Sequence, residues 1–259
     1  MLLAGCAAPS ISGAPFHQGF PRVAVLELPP ATGDRQLRRV LHGKREEANA
    51  AALATDRQRI NQSLESNLRA SVRCFASSAE PTEIAPLDDP TVLIGHPIES
   101  SSLAKLQSSH PADAYLRLRV TDYGETPRRW KGGYIAFEVV TTLAIGAGLY
   151  VHKITRPVAG AYLLEETIEE FSEGYAGFWA LNRLSRPVRI EADLVDGQSG
   201  LIFWRAAHTG LAPWRWRHLR HMDDTTRDEL LSSSMRRAVK ALSTGLNPGI
   251  CAELATETR

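Results

Sequence analysis

The stretch Val188-Arg-Ile-Glu-Ala-Asp-Leu-Val-Asp-Gly-Gln-Ser-Gly-Leu-Ile-Phe-Trp-Arg-Ala206 decides the fold of this 259-residue chain. In its first half, apolar residues alternate with Arg189, Glu191 and Asp193. Such alternation is typical of a strand with one buried face. Asp196 to Gly200 is rich in turn-forming residues, and a second apolar run follows it. The sequence therefore predicts a β-hairpin.

Further strands are predicted upstream of the hairpin. Residues 114–121 alternate with the same period of two, with Arg117 on the side opposite the apolar residues, as in a half-buried strand. Arg22 to Leu28 is a short apolar run that two prolines stop, which favours an interior strand. Residues 92–94 form a candidate short strand in a Pro-rich stretch that is otherwise predicted as loop.

Three segments have helical periodicity. The first has capping-box spacing at Thr55 to Gln58, followed by one apolar stripe of Ile60, Leu64, Leu68 and Val72. Leu103 and Leu106 mark a brief second helix that ends near Ser109. The last helix has capping-box spacing at Thr226 and Glu229, Asp223 and Asp224 are expected to cap it, and Gly245 and Pro248 stop it. Its predicted buried face consists of Leu231, Met235, Ala238, Val239 and Leu242.

This order of elements predicts an α/β (α+β) fold: a mixed sheet flanked by helices. Three phrases carry a resemblance to a known family: Arg22-Val-Ala-Val-Leu26, Ala112-Asp-Ala-Tyr-Leu-Arg-Leu-Arg-Val120 and, most specific, the hairpin from Ala192 to Arg205. They resemble the periplasmic domain of the lipoprotein superfamily of the curli-secretion channel and the activators of peptidoglycan synthases. The resemblance implies a domain without catalytic residues that binds other envelope proteins or assembles with itself.

The chain departs from that family between residues 130 and 184, where a hydrophobic helical insertion is expected. Tyr134 to Val151 is its strongest apolar run, about 27 Å long as a helix and just enough to span hydrocarbon. Glu138 opposes spanning, whereas Tyr134 and Tyr150 suit the two membrane interfaces. Two interpretations stay open: a helix buried against the protein or a neighbouring copy, and a helix in contact with the membrane.

An acidic stretch follows the apolar run in the insertion. Five glutamates recur with helical spacing: Glu165, Glu166, Glu169, Glu170 and Glu173. A solvated face is the favoured interpretation over a divalent cation site, because calcium ligands usually come from a loop. Whether the insertion is a helical subdomain, an oligomerisation element or a membrane-docking element is left open.

The start of the chain indicates where the protein is held. Leu3-Ala-Gly-Cys6 resembles a bacterial lipobox, in which Cys6 is acylated after cleavage of the signal peptide. Ala7 after the cysteine implies sorting to the outer membrane in that family. Only five residues precede Cys6, so the charged and apolar parts of a signal peptide are expected upstream of this sequence. The next residues, to Pro15, are small, polar and rich in Pro and Gly, which favours a tether.

Composition and cysteine content add bounds. With 43% hydrophobic and 23% charged residues, the chain is typical of a packed globular domain, and a net charge of +1 gives no indication of nucleic-acid binding. Besides Cys6 there are Cys74 and Cys251. In an oxidising envelope compartment these two form a candidate disulfide; two unpaired thiols are the alternative.

One segment combines cations with aromatic residues. Trp214-Arg-Trp-Arg-His-Leu-Arg-His221 contains the candidate anion- or headgroup-binding residues Trp214, Arg215, Trp216, Arg217 and Arg220. A strand end with buried tryptophans and solvated arginines is the structural alternative. No metal site is predicted, since His218 and His221 lack further ligands at zinc spacing. No catalytic or nucleotide-binding motif occurs, and no cofactor is expected.

These observations favour a non-enzymatic envelope lipoprotein at the periplasmic face of the outer membrane. It is expected to bind membrane lipid through acylated Cys6 and to act by contact with other envelope proteins or with itself. A soluble enzyme or ligand-binding domain with an accidental lipobox is the alternative, and a channel former using the insertion is a third. The expected organisation is a tether (1–20), an α/β domain (21–129 and 185–250), the insertion (130–184) and a tail (251–259).

Overall fold

The computed structural model describes residues 22–42, 50–75, 84–86, 92–151, 172–214 and 222–246, with side chains in all of these except 42, 70–75 and 84–86. In chain order the elements are β1 (Val23–Glu27), α1 (Asp34–Leu37) with a π-helical turn (Arg38–His42), α2 (Ala50–Phe75), β2 (Ile84–Pro86), α3 (Ser100–Ser109), β3 (Ala114–Tyr123), α4 (Arg128–Val151), α5 (172–184), β4 (Val188–Asp196), β5 (Ile202–Gly210) and α6 (Asp224–Leu246). The fold is α+β.

The strands form one mixed sheet in the order β2-β1-β3-β4-β5. β1 pairs in parallel with β2 and β3, whereas β4 is antiparallel to both of its neighbours, β3 and β5. All five residues of β1 are buried, as expected for an interior strand covered on both faces. The predicted interior strand and the predicted hairpin are therefore confirmed.

The first face of the sheet carries the main hydrophobic core under α2 and α6. Leu116 and Leu118 of β3 and Ile190 of β4 are fully buried there. The predicted stripe of α2 is confirmed at Ile60, Leu64 and Leu68, all at most 1% exposed. The predicted face of α6 is confirmed at every residue: Leu231, Met235, Ala238, Val239 and Leu242 are buried.

The second face is apolar at one end and charged at the other. At the apolar end, Leu103 and Leu106 of α3 pack with Leu26 of β1, Tyr115 of β3 and Val195 of β4. At the other end, the same face carries charged side chains of β3, β4 and β5. The sequence predicted strands with one buried and one exposed face, and that exposure holds for only part of this face.

β5 approaches α6 closely at Gly210. A Cβ atom at this position would overlap the carbonyl oxygen of Ser234 and lie 2.6 Å from the nitrogen of Ala238. The Ser234 hydroxyl donates to the Ser185 carbonyl at 2.7 Å and accepts from the Ala212 amide at 2.8 Å. α6 therefore joins the start of β4 and the end of β5.

Three local predictions were wrong. Residues 92–94 form no strand, since Val92 and Leu93 are irregular and a turn begins at Ile94; the strand is Ile84–Pro86, where pairing with β1 supplies hydrogen bonds that no local pattern encodes. α2 begins at Ala50, so Thr55 lies inside the helix and its hydroxyl donates to the Ala51 carbonyl. α6 begins before Thr226, whose amide donates to Asp223 Oδ1 at 2.7 Å. The capping box was therefore misplaced, whereas the expected cap at Asp223 is confirmed.

Candidate functional site

The insertion leaves the sheet as two antiparallel helices, α4 and α5. At their base, the amide and hydroxyl of Thr126 both donate to Asn182 Oδ1, at 2.5 and 2.6 Å. Thr126 is only 1% exposed. Farther along, the ring of Tyr134 meets the ring of Phe178 edge to face, with centroids 5.5 Å apart. We call α4 and α5 the hairpin, as distinct from the β-hairpin of β4 and β5.

One side of α4 is covered. The residues on this side are aromatic, polar or small. Thr142 and Gly146 are buried, and Glu138 is half-buried one turn before them. We call the line of Tyr134, Glu138, Thr142 and Gly146 the covered side. Its spacing of four residues places all of them on one helix face. The single carboxylate of the apolar run therefore points away from the exposed surface.

The rest of the surface of α4 is exposed and apolar. Its large side chains are 42–66% exposed, and we call them the outward face: Ile135, Phe137, Val139, Val140 and Leu143. The exposed residues between Ile135 and Val151 include no charged side chain. This arrangement reverses the usual polarity of a helix on a soluble domain, whose apolar stripe faces the core.

By length and composition, α4 is the one helix in the described part of the chain that meets the requirements for crossing a membrane. Only 11% of its most apolar 18-residue window is buried. The residues that the structure describes thus leave this helix largely uncovered, and they do not bury the outward face. Contact with a neighbouring copy or with a membrane remains open.

A cluster of charges surrounds the base of α4 on the second face of the sheet. Glu191 Oε1 lies 4.0 Å from Arg129 of α4 and 3.5 Å from Arg189 of β4, and its Oε2 lies 3.9 Å from Arg205 of β5. Burial raises the pKa of the nearby Asp122 above its usual value, an effect that Arg189 and Arg128 oppose.

We call these groups the root cluster: Arg128, Arg129, Lys131, Arg189 and Arg205 around Asp122 and Glu191. Five cations thus face two carboxylates. The contacts of Glu191 are also longer than the 2.7–2.9 Å typical of a charge-assisted hydrogen bond. The cluster as a whole is therefore positively charged.

Next to the root cluster lies a buried ion pair. Arg117 Nε and Nη2 donate to the two oxygens of Asp193, each at 2.7 Å, and neither side chain is exposed. Arg117 Nη2 also donates to the His96 carbonyl at 2.8 Å, and the Gly95 amide donates to Asp193 Oδ2 at 2.7 Å. These contacts tie the loop before α3 to the middle of the sheet.

Sequence reasoning missed the ion pair and the root cluster. It placed Arg117 and Asp193 on the polar side of two alternating strands, which indicates exposure. The usable signal was the match of opposite charges on neighbouring strands, where Arg117 pairs with Asp193 in register. The burial of this cross-strand pair depends on the loop around Gly95, and no periodicity in the sequence reveals where that loop lies.

Most site residues predicted from the sequence lie outside the described residues. This holds for Cys6, Cys251, Arg215, Trp216, Arg217 and Arg220. Cys74 lies in α2, in the part whose side chains are not described. Trp214 is described and is 56% exposed, so it does not fill the core. The acylation, the disulfide and the anion-binding patch therefore stay predictions.

Within the described ranges, no group of three or more His, Cys, Asp or Glu side chains could hold a metal ion. No protein-family model matches the chain, and no curated protein matches it. The resemblance to the lipoprotein superfamily, whose most specific part is the β-hairpin from Ala192 to Arg205, thus stays a prediction.

Solved structures with weak similarity to the chain include two forms of one dodecamer. One is the PelC dodecamer from Paraburkholderia phytofirmans, 13% identical over 89% of this chain and 93% of that chain, with a TM-score of 0.35. The other is a variant of the same dodecamer, 12% identical over 90% of this chain and 95% of that chain, also with a TM-score of 0.35. At this TM-score we base neither fold nor function on the similarity.

Proposed function

We propose that this chain is a non-enzymatic lipoprotein of the bacterial envelope, held at the periplasmic face of the outer membrane by acylated Cys6. It works by contact with other envelope components, whether proteins, further copies or the membrane surface. The observation that supports a contact function best is the outward face of α4. The hairpin of α4 and α5 is the contact element.

An apolar surface of this kind needs a partner. Soluble monomers rarely expose contiguous apolar patches beyond a few hundred Å², and larger ones mark interaction sites. Val140 and Leu143 are 66% and 60% exposed, and Phe137 is 60% exposed. The contact of Thr126 with Asn182 joins the start of α4 to the end of α5 at the base of the hairpin.

The proposed anchor places the domain close to a membrane. Sixteen residues, 7–22, separate Cys6 from β1. A chain of that length spans at most about 55 Å when fully extended. α4 has 24 residues and is therefore about 36 Å long. The hairpin is thus within reach of the surface to which Cys6 would be attached.

The anchor is tested by labelling cells that express the protein from its own locus with a palmitate analogue. We expect label in the protein and recovery of the protein in the outer-membrane fraction, and loss of both in Cys6→Ala. A soluble, unlabelled wild-type protein would support the soluble enzyme or ligand-binding alternative instead.

The contact is tested by thiol accessibility in cells. Val140→Cys places a thiol on the outward face, and Leu201→Cys, at a position 59% exposed on the β4–β5 turn, is the matched control. Both variants are treated with a charged maleimide that reaches the periplasm, and labelling above that of the parent chain is measured. Protection of position 140 but not of 201 supports a contact function. Equal labelling of both positions contradicts it.

A further inference from the structure

We infer that the outward face of α4 seats on an anionic lipid surface, with the root cluster against the headgroups. This inference rests on the proposed function and names the partner of the same contact element. It follows from the polarity of α4, the charge at its base and the path of the chain.

The polarity of α4 matches contact with lipid. In a helix that packs between its own chain and a bilayer, small and polar residues face the protein and large apolar residues face hydrocarbon. Thr142 and Gly146 are buried on the covered side, whereas Val140 and Leu143 are exposed on the outward face. Glu138 lies on the covered side as well.

The charge at the base of α4 has no explanation in the stability of the helix. Arg128, Arg129 and Lys131 lie at its first turn, which contains no acidic residue. Cations are unfavourable there, because the amino end of the helix dipole is positive. Arg128 and Arg129 are exposed, and Arg205 adds a half-exposed guanidinium beside them. Anionic headgroups are the complementary partner, because they attract basic residues near the membrane surface.

The path of the chain favours seating on the surface over spanning. Tyr123 at the end of β3 pairs with Val188 at the start of β4, so the insertion leaves and re-enters the sheet at one place. If α4 crossed a bilayer, the returning segment would have to cross it too. That segment contains the five glutamates between residues 165 and 173. Ionised side chains are strongly unfavourable at the bilayer centre, so one-sided contact is favoured.

Binding is tested by flotation with the full chain carrying Cys6→Ala, so that no acyl group contributes. The vesicles contain phosphatidylethanolamine and phosphatidylglycerol at a ratio of 3:1, or phosphatidylcholine alone. We expect the protein to float with the anionic vesicles at low salt and to bind the neutral ones at least tenfold more weakly. Recovery of the protein at the bottom of both gradients would overturn the inference.

Two pairs of substitutions locate the contact. We expect Val140→Glu with Leu143→Glu to weaken anionic-vesicle binding more than tenfold, because both side chains lie on the outward face. Leu201→Glu, the matched control, should bind as the parent does. Arg128→Gln with Arg129→Gln should weaken binding about tenfold and reduce its dependence on salt. Unchanged binding of both double variants would contradict the inference, and circular dichroism checks that each variant is folded.

A polarity-sensitive dye distinguishes lipid from a second copy. Attached at Val140→Cys, the dye should become brighter and shift to the blue when anionic vesicles are added, whereas at Leu201→Cys it should not. A shift at position 140 that appears with rising protein concentration and no lipid would show a copy–copy contact. That result overturns the lipid inference and leaves the proposed function standing. Protection of position 140 in cells without binding to vesicles would likewise overturn the lipid inference and leave the proposed function standing. Exposure of position 140 in cells contradicts both the lipid inference and the proposed function.

Discussion

Arg117 and Asp193 face each other on β3 and β4 and form a bidentate ion pair that is completely buried. Desolvation of two such charges offsets most of their attraction, so the pair contributes little net stability relative to an apolar pair. The pair does have a geometric role. The remaining hydrogen bonds of the pair go to the backbone of Gly95 and His96 and fix the loop that leads to α3.

Removal of one partner of this pair is expected to be severe. Asp193→Ala leaves the Arg117 guanidinium buried without a counter-charge and should lower the free energy of unfolding by about 3–5 kcal/mol. The double variant Arg117→Met with Asp193→Leu should recover most of that loss, because no buried charge remains. Urea unfolding of the full chain measures both. A single variant that loses less than about 1 kcal/mol would show that the site admits water.

Glu27 is expected to make stability depend on pH. Burial and the charge of Glu65 raise its pKa to about 7, against the opposing effect of Arg69. The folded state then binds a proton that the unfolded state, with a pKa of 4.5, releases. Stability therefore falls as pH rises from 4.5 to 7, by roughly 3 kcal/mol from this group, and stays lower above pH 7.

The Glu27 prediction is checked by urea unfolding at pH 5 and pH 8. Glu27→Gln keeps the shape of the side chain and removes the titration, so its loss of stability between the two values should be smaller than that of the parent. The same pH dependence in both proteins would assign it to other groups.

The base of the hairpin is expected to behave as one coupled unit. Asn182→Ala leaves both donors of Thr126 without their acceptor and should destabilise the junction by about 1–3 kcal/mol. Thr126→Ser keeps the donors and should have a smaller effect. Hydrogen exchange of α4 amides should rise in Asn182→Ala, while that of β3 and β4 changes little. Equal acceleration throughout the sheet would mean that the hairpin and the domain unfold together.

Two glycines give opposite expectations for the same substitution. Gly210→Ala would place a Cβ against the backbone of Ser234 and Ala238, which is fixed in α6. We expect a loss of at least about 3 kcal/mol or failure to fold. Gly148→Ala meets no atom within 4 Å and lies inside α4, so it should stabilise the helix by about 0.5–1 kcal/mol. Thermal unfolding of the two variants compares them directly. A benign Gly210→Ala would require β5 and α6 to move apart.

Prediction from sequence succeeded where a local period reports burial. The alternation of residues 188–196 predicted a strand and the side that faces the main core, and the four-residue stripe from Ile60 to Leu68 predicted a helix and its buried side, because side-chain direction repeats along a strand or helix. It failed at β2, whose three residues depend on pairing with β1. The capping sites at Thr55 and Thr226 were also misplaced, since helix ends depend on which acceptor the fold supplies.

The sequence by itself determined the α+β class, the confirmed strands β1, β3, β4 and β5, and the presence of an apolar helix within the insertion. These features follow from local side-chain periods and from the turn residues between Asp196 and Gly200. Only the tertiary structure decided that Arg117 and Asp193 are buried together and that the large apolar residues of α4 face outward. Both depend on which segments pack side by side. Contacts between residues far apart in the chain decide that, and no local period encodes them.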